Sequence, residues 1–236
     1  MMKLTYLFHS GFLLEADGFA IVFDYYREGR ALLDELLRRG QPLYVLVSHE
    51  HRDHYNPEVL AWHRQNNRVC YIFPREMEGR RELAYLPQAV FLSRGESYAD
   101  ERLQVTAFGS TDLGVSYEVV IGKQTVFHAG DLNNWHWADE STADEVREAE
   151  EAYRAELDYL AHRVTRFDVA MFPVDARLGS DYMRGAQQFV ERFEVGVFVP
   201  MHFYPAVAKA EAFAPIARQH GARFALLSHT GDSIEL

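Results

Sequence analysis

Residues 43–57 read Leu43-Tyr44-Val45-Leu46-Val47-Ser48-His49-Glu50-His51-Arg52-Asp53-His54-Tyr55-Asn56-Pro57. An unbroken apolar run, which suits a strand buried on both faces, leads directly into three histidines and an aspartate. The chain then restarts as a helix. Asn56 is a good N-cap, Pro57 suits the first helical position, and Glu58 favours the first turn. The histidine segment is therefore a loop between a buried strand and a helix, where α/β folds place their chemistry. Imidazole and carboxylate are the usual ligands of zinc and similar divalent ions. His49 and His51, two residues apart, project the same way from an extended segment and share one ion. Asp53 and His54 follow where the chain turns and reach toward a second ion beside the first. A solvated polar loop is the plain alternative. Four potential ligands directly after a buried strand outweigh it.

Working outward, residues 3–8 and 19–24 read as strands joined by a turn between Gly11 and Gly18. A helix over 31–39 stops at Gly40. Residues 68–73, 89–92 and 102–108 read as strands, and 114–131 as a hairpin turning at Gly122-Lys123. A long acidic helix over 142–162 keeps Val146, Tyr153, Leu157 and Leu160 near one side. The order then becomes strand 167–174, helix 181–193, strand 195–200, helix 207–219 and strand 223–228. A meandering first half and an alternating second half fit an α/β (α+β) fold with two sheets face to face and helices outside. No linker, repeat or low-complexity tract interrupts the chain, which reads as one domain over 1–236.

Composition excludes several classes. With 48% hydrophobic and 25% charged residues, the 236-residue chain is neither disordered nor membrane-like. No apolar run approaches the ~20 residues of a bilayer span, and no signal peptide is evident. A single cysteine, Cys70, rules out an internal disulfide and any multi-thiolate zinc site, and points to a reducing, cytoplasmic setting. A net charge of −11 argues against nucleic acid as the main partner. No P-loop, dinucleotide glycine turn or nucleophile elbow is present.

His49-x-His51-x-Asp53-His54 resembles the defining motif of the metallo-β-lactamase fold superfamily. The likeness extends across nearly the whole chain, and its fold is a four-layer αββα sandwich. It implies that Asp24, in "FDYY", is the early motif aspartate, a partner of a ligand histidine. It implies that Asp131, ending "HAGD", bridges two metals and that His202, in "VPMHF", is the last histidine ligand. "FHSGF" with "HAGD" looks most like the branch of L-ascorbate-6-phosphate lactonase and related uncharacterised hydrolases. The superfamily usually supplies one further histidine where this chain reads Gly109-Ser110-Thr111-Asp112. The first metal would then rest on His49, His51 and Asp131, helped by Asp112, Ser110 or water. The second keeps Asp53, His54, Asp131 and His202. His128 reads as a core or supporting residue, because it and Asp131 differ by an odd number along a regular strand.

The expectation is a hydrolase that activates water with one or two divalent ions, zinc or manganese, and acts on a small soluble lactone, ester or phosphorylated sugar derivative. Asp53 serves as ligand and proton acceptor, and His9 reaches the site from its turn. Trp135, His136 and Arg177 are candidate substrate contacts, with Asp175 facing the site. His63, His162 and His220 read as surface residues, and His229 has no clear role. The rival readings are a phosphodiesterase or nuclease of the same fold and a non-enzymatic metal- or ligand-binding protein. No membrane partner is expected, and self-association through the acidic helix is open.

Overall fold

The computed structural model describes residues 2–236. They divide into two compact units. One runs through Ser93 and takes in Leu227–Leu236, and the other spans Arg94–Leu226. No helix among the described residues is long and apolar enough to cross a membrane.

The first unit holds β1 (Lys3–Phe8), β2 (Gly11–Ala16), β3 (Phe19–Phe23), α1 (Arg30–Arg39), β4 (Leu43–Leu46), β5 (Val69–Pro74), β6 (Ala89–Leu92) and the last strand, Ser233–Glu235. They form one seven-stranded sheet, in the order last strand-β1-β2-β3-β4-β5-β6. Its first three pairings are antiparallel and its last three parallel. The segment expected as a single turn from Gly11 to Gly18 is mostly β2. Phe12, Leu13 and Leu14 are consecutive and all buried, so both faces of this strand are covered and the glycines mark its two ends. β4 is buried at all four positions, as its unbroken apolar run predicts. The helix α1 buries Leu33, Leu36 and Leu37, and Gly40 closes it at φ 63, a conformation glycine adopts without steric cost. Residues Pro57–Arg64 are helical as predicted but of 3-10 type, and the Asn56 side chain caps them by accepting from the Glu58 N–H at 3.0 Å.

The second unit holds β7 (Ser97–Ala99), β8 (Gln104–Phe108), β9 (Ser116–Ile121), β10 (Gln124–His128), α2 (Ala143–Ala161), β11 (Arg166–Pro173), α3 (Arg184–Arg192), β12 (Glu194–Met201), α4 (Val207–Glu211), α5 (Ala214–Gln219) and β13 (Arg223–Phe224). The seven strands pair in chain order, again antiparallel three times and then parallel three times. A reciprocal Thr142–Glu145 capping box starts α2, which buries Tyr153, Leu157 and Leu160. Phe189 on α3 stacks on Phe127, Phe167 and Phe172 with ring centroids 5.5, 5.8 and 4.5 Å away. Burying such a ring contributes about 1.5–3 kcal/mol. The helix expected over 207–219 is two short ones, because Pro215 cannot donate the hydrogen bond that would continue α4.

Candidate metal centre

In the first unit, β3 and β4 run parallel and deliver Asp24 and Ser48 side by side at their C-terminal ends. The fully buried Asp24 carboxylate accepts from the Ser48 N–H at 2.7 Å and from the Ser48 hydroxyl at 2.6 Å. It also lies 2.7 Å from His54 Nδ1. That ring nitrogen must carry the proton to pair with a carboxylate, so His54 presents a lone pair at Nε2. The one Ser48 proton goes to Asp24. Ser48 Oγ therefore accepts from His49 Nδ1, 2.9 Å away, and His49 too presents its lone pair at Nε2. One carboxylate and one hydroxyl thus set the tautomers of two buried imidazoles. Sequence reasoning singled out Asp24 but passed over Ser48, whose only signal was its position just before the motif.

The remaining donors of the loop lie close by. The His49 ring is 4.1 Å from that of His54 and 4.7 Å from that of the exposed His51. His9, Asp53 and His54 each offer a ligand atom, and these lie within 4.8 Å of one another. His9 Nε2 is 3.4 Å from Asp53 Oδ2. The hydrogen bond from His9 outweighs burial and holds the Asp53 carboxyl well below the usual carboxylate range, so Asp53 is ionised at neutral pH. His9 occupies the left-handed region at φ 59, and its N–H donates to the Tyr6 hydroxyl at 2.7 Å.

In the second unit, His202 follows β12 and is buried. Its Nδ1 is 2.8 Å from Asp175 Oδ2, the same arrangement of carboxylate and imidazole as Asp24 with His54. Its Nε2 faces Asp131 Oδ1 at 3.5 Å. A ring nitrogen and a carboxylate oxygen facing each other in a buried place are donor types that a shared cation would suit. The Asp112 carboxylate, on an exposed loop, lies within 4.8 Å of that of Asp131. Burial pushes the Asp175 carboxyl up, but hydrogen bonds from His202 and Arg177 bring it down to about 2. Six non-glycine residues among those described have positive φ, and three of them are His9, Asp24 and His202. Backbone strain of this kind persists where surrounding contacts hold the residue in place.

The residues expected at the substrate have partners within the protein. Arg177, expected to meet a substrate, is bound to Asp175 through Nε at 3.0 and 2.9 Å and through Nη2 at 2.5 Å. His136 is buried and tied at both nitrogens, accepting from the Ala138 N–H at 3.0 Å and contacting the Asp181 carbonyl at 3.2 Å. Of the two, His136 is enclosed by these contacts, whereas the Arg177 side chain remains 61% exposed. Trp135 donates its indole N–H to the Asp131 carbonyl at 2.7 Å and sets its ring edge-on to His202 at 5.8 Å. His128 is buried at the end of β10 and accepts from the Gly130 N–H at 3.2 Å. The strand stops there and Gly130 has φ 54, so strand parity does not extend to Asp131. His128 falls in none of the His/Asp clusters of ligand spacing among the described residues. A Cβ built on Gly109 would collide with the Glu156 carboxylate of α2, which is paired with Arg94 at 2.9 Å.

With this geometry in hand, comparison with known proteins is informative. Residues 3–147, more than half of the chain, match the Beta-lactamase superfamily domain family. The chain belongs to this superfamily. A UPF0173 metal-dependent hydrolase of Symbiobacterium thermophilum is 24% identical to it, with both chains covered completely. Another, from Desulforamulus reducens, is 26% identical over 147 residues, 55% of this chain and 62% of that protein. Among solved structures, Igni18, a metallo hydrolase from Ignicoccus hospitalis, superposes with a TM-score of 0.72 at 19% identity, covering 100% of this chain and 99% of the other. YhfI from Bacillus subtilis, a metallo-β-lactamase fold protein, gives 0.70 at 12% identity over 100% and 99%. The fold is thus the metallo-β-lactamase fold, two mixed sheets flanked by helices, as the sequence predicts. Both UPF0173 relatives are named metal-dependent hydrolases, and the His/Asp clusters of this chain have the donor types that such chemistry needs.

Proposed function

We propose that this superfamily member hydrolyses a small soluble ester, lactone or phosphorylated sugar derivative with water activated by one or two divalent ions, zinc or manganese. The proposed ligands are His49, His51, Asp53 and His54 from the first unit and Asp131 and His202 from the second. The observation that carries the reading is the Asp24–Ser48 network. It occupies Nδ1 of both His49 and His54 and leaves Nε2 as the atom that would face an ion, the kind of buried support that orients metal ligands. Asp175 does the same for His202. The donor set, imidazole and carboxylate without thiolate, fits zinc or manganese. A divalent ion held there acidifies water and polarises the oxygen of the scissile group.

The chain's own residues then manage the proton. Asp53 would accept it from the attacking water, and His9, its Nε2 3.4 Å from Asp53 Oδ2, would orient and steady the carboxylate. Asp24 and Asp175 keep the imidazoles from turning. The lactone expectation follows the likeness of "FHSGF" and "HAGD" to the ascorbate-6-phosphate lactonase branch.

The test is a screen of lactones, esters and phosphodiesters with the metal-loaded protein, together with Asp53→Asn. Lactone or ester turnover that falls about 10²–10⁴-fold in the variant, with folding intact, is the expected result. Wild-type rates in Asp53→Asn with metal bound would refute the role of Asp53. Cleavage of phosphodiesters alone would move the protein to a different substrate class.

A further inference from the structure

In the second unit, the loop after β10 continues from Asp131 as Leu132-Asn133-Asn134-Trp135-His136-Trp137. It is held along its length. The Asn133 N–H donates to the Thr111 hydroxyl at 3.0 Å, and that hydroxyl donates back to the Asn133 carbonyl. The Asn134 amide bonds Gln188 of α3 at 3.0 Å. Further on, the Asp139 carboxylate accepts from the Ser180 N–H and hydroxyl, both at 2.7 Å.

On this fixed loop two large rings stay partly exposed. Trp135 and Trp137 lie nearly parallel, with centroids 6.3 Å and planes 18° apart. The remaining tryptophan, Trp62, is 1% exposed in the core of the first unit. Trp135 meets the His202 ring edge-on, so the pair stands beside a proposed metal ligand. Trp137 has φ 42, which a bulky side chain rarely adopts. Its carbonyl accepts from the N–H groups of Glu140 and Ser141, each at 2.9 Å, and these bonds help to hold it there. A strained backbone that keeps an indole partly in solvent is the kind of outlier that function retains. Apolar exposure recurs on the neighbouring loops of this unit, at Leu113 beside Asp112 and at Tyr204 two residues past His202. The carboxylates on these loops, Asp112, Asp131 and Asp139, disfavour an anion at the rings, whereas indole faces suit an uncharged ring.

We propose that Trp135 and Trp137 form a subsite for an uncharged aryl group, which stacks on the indoles beside the metal centre. Assigning that group to the substrate rests on the hydrolase reading above. The aryl site itself does not.

Two measurements judge it separately. In the first, phenylphosphonate and methylphosphonate are titrated calorimetrically into metal-loaded wild type, Trp137→Gly and Trp137→Phe. Both probes carry the same metal-seeking group, so the ratio of their affinities reports the ring. We expect wild type to favour phenylphosphonate about three- to tenfold, Trp137→Gly to lose most of that preference, and Trp137→Phe to keep part of it. Glycine adopts φ 42 without strain, and Trp137→Asn, which also tolerates it, is the ring-free variant should Trp137→Gly not fold. Metal content is measured alongside and stays constant, since Trp137 is not a proposed ligand. The same affinity ratio in wild type and the ring-free variant, or no phenylphosphonate binding to wild type, would overturn the subsite. In the second, two esters of one alcohol are compared, one phenylacetyl and one acetyl. Trp137→Gly should raise KM for the phenylacetyl ester severalfold more than for the acetyl ester. Equal changes would overturn the assignment to substrate. If no ester or lactone is turned over, the hydrolase reading fails, while the phosphonate pair still decides the aryl site.

Discussion

The two units solve the same problem with opposite economies of sequence. Each sheet has three antiparallel pairings followed by three parallel ones, and in each the polar residues gather past the ends of the parallel strands. The first unit places four donors in the single loop after β4 and controls two of them with one buried acid, Asp24. The second draws Asp131, Asp175 and His202 from three separate loops, after β10, β11 and β12. The partners of the two orienting acids differ as well. Asp24 accepts from a backbone N–H and a hydroxyl and pairs with an imidazole, all buried. Asp175 has a formal cation, Arg177, whose side chain is 61% exposed. A buried acid held by buried hydrogen bonds leaves their donors stranded when it is removed, whereas an exposed guanidinium is a partner that solvent can replace.

The largest effect should follow from removing those acids. Asp24→Ala leaves the Ser48 N–H and the His54 Nδ1–H buried without an acceptor, at about 1–3 kcal/mol each, so we expect a loss of about 3–5 kcal/mol. Asp175→Ala strands the His202 Nδ1–H and uncaps the part-buried Arg177 N–H, while the Arg177 guanidinium can turn to water, and should cost about 2–4 kcal/mol. Urea unfolding of metal-free protein checks both. Equal losses would erase the distinction between the units. With metal present, both variants should bind it about 10–100-fold more weakly.

This contrast also explains what could be read in advance. The first unit's donors were legible because they are local: a spacing of two and three residues after a buried strand is a pattern within one loop. Asp24 was legible only through the family resemblance, since nothing in "FDYY" says that its carboxylate meets a loop 24 residues on. The second unit's donors are scattered over about 70 residues. Asp131 and His202 were likewise assigned by resemblance, and the Asp175–His202 pairing was not foreseen. Arg177 and His136 were expected at the substrate because charge and aromaticity next to a motif look functional. Their partners within the protein, Asp175 and two backbone groups, belong to tertiary structure and could not be read from the motif. The last strand could not be anticipated for the same reason: Ser233–Glu235 is three residues long and gains its identity only by pairing with β1.

An intermediate effect should appear at high pH, where the first unit's buried tyrosines respond. Burial raises the Tyr25 and Tyr71 hydroxyls to about 12, with the Glu58 carboxylate adding to the effect at Tyr25. The folded form therefore keeps a proton that the unfolded chain releases near pH 10. The stabilisation is complete below pH 10 and is lost between pH 10 and 12, by at most about 2–3 kcal/mol per tyrosine. Tyr25→Phe and Tyr71→Phe should each flatten this decline. The flattening is read as a smaller drop in urea midpoint from pH 9.5 to 11.5. Tyr71→Phe should also lower the midpoint at neutral pH, because its hydroxyl bonds the Val59 carbonyl at 2.8 Å and the His63 N–H at 3.1 Å. A decline as steep in both variants as in wild type would shift the alkaline weakness to Tyr55 of the first unit or Tyr153 of the second, both also raised by burial.

The smallest effect concerns Gly109, where the family resemblance leads one to expect a histidine. A Cβ there points at the Glu156 carboxylate rather than into open space. Glu156 is held by Arg94, whose guanidinium lies 3.5 Å over the Tyr159 ring. The obstructing atoms are the end of a flexible side chain in a partly exposed ion pair, so Gly109→Ala displaces that pair and should cost about 1 kcal/mol or less. Gly109→His meets the same obstacle and sends its imidazole toward α2. Metal stoichiometry and affinity in Gly109→His should therefore match wild type in a chelator-competition titration. A gain of one tightly bound equivalent would show that Glu156 yields and that position 109 can still serve as a ligand.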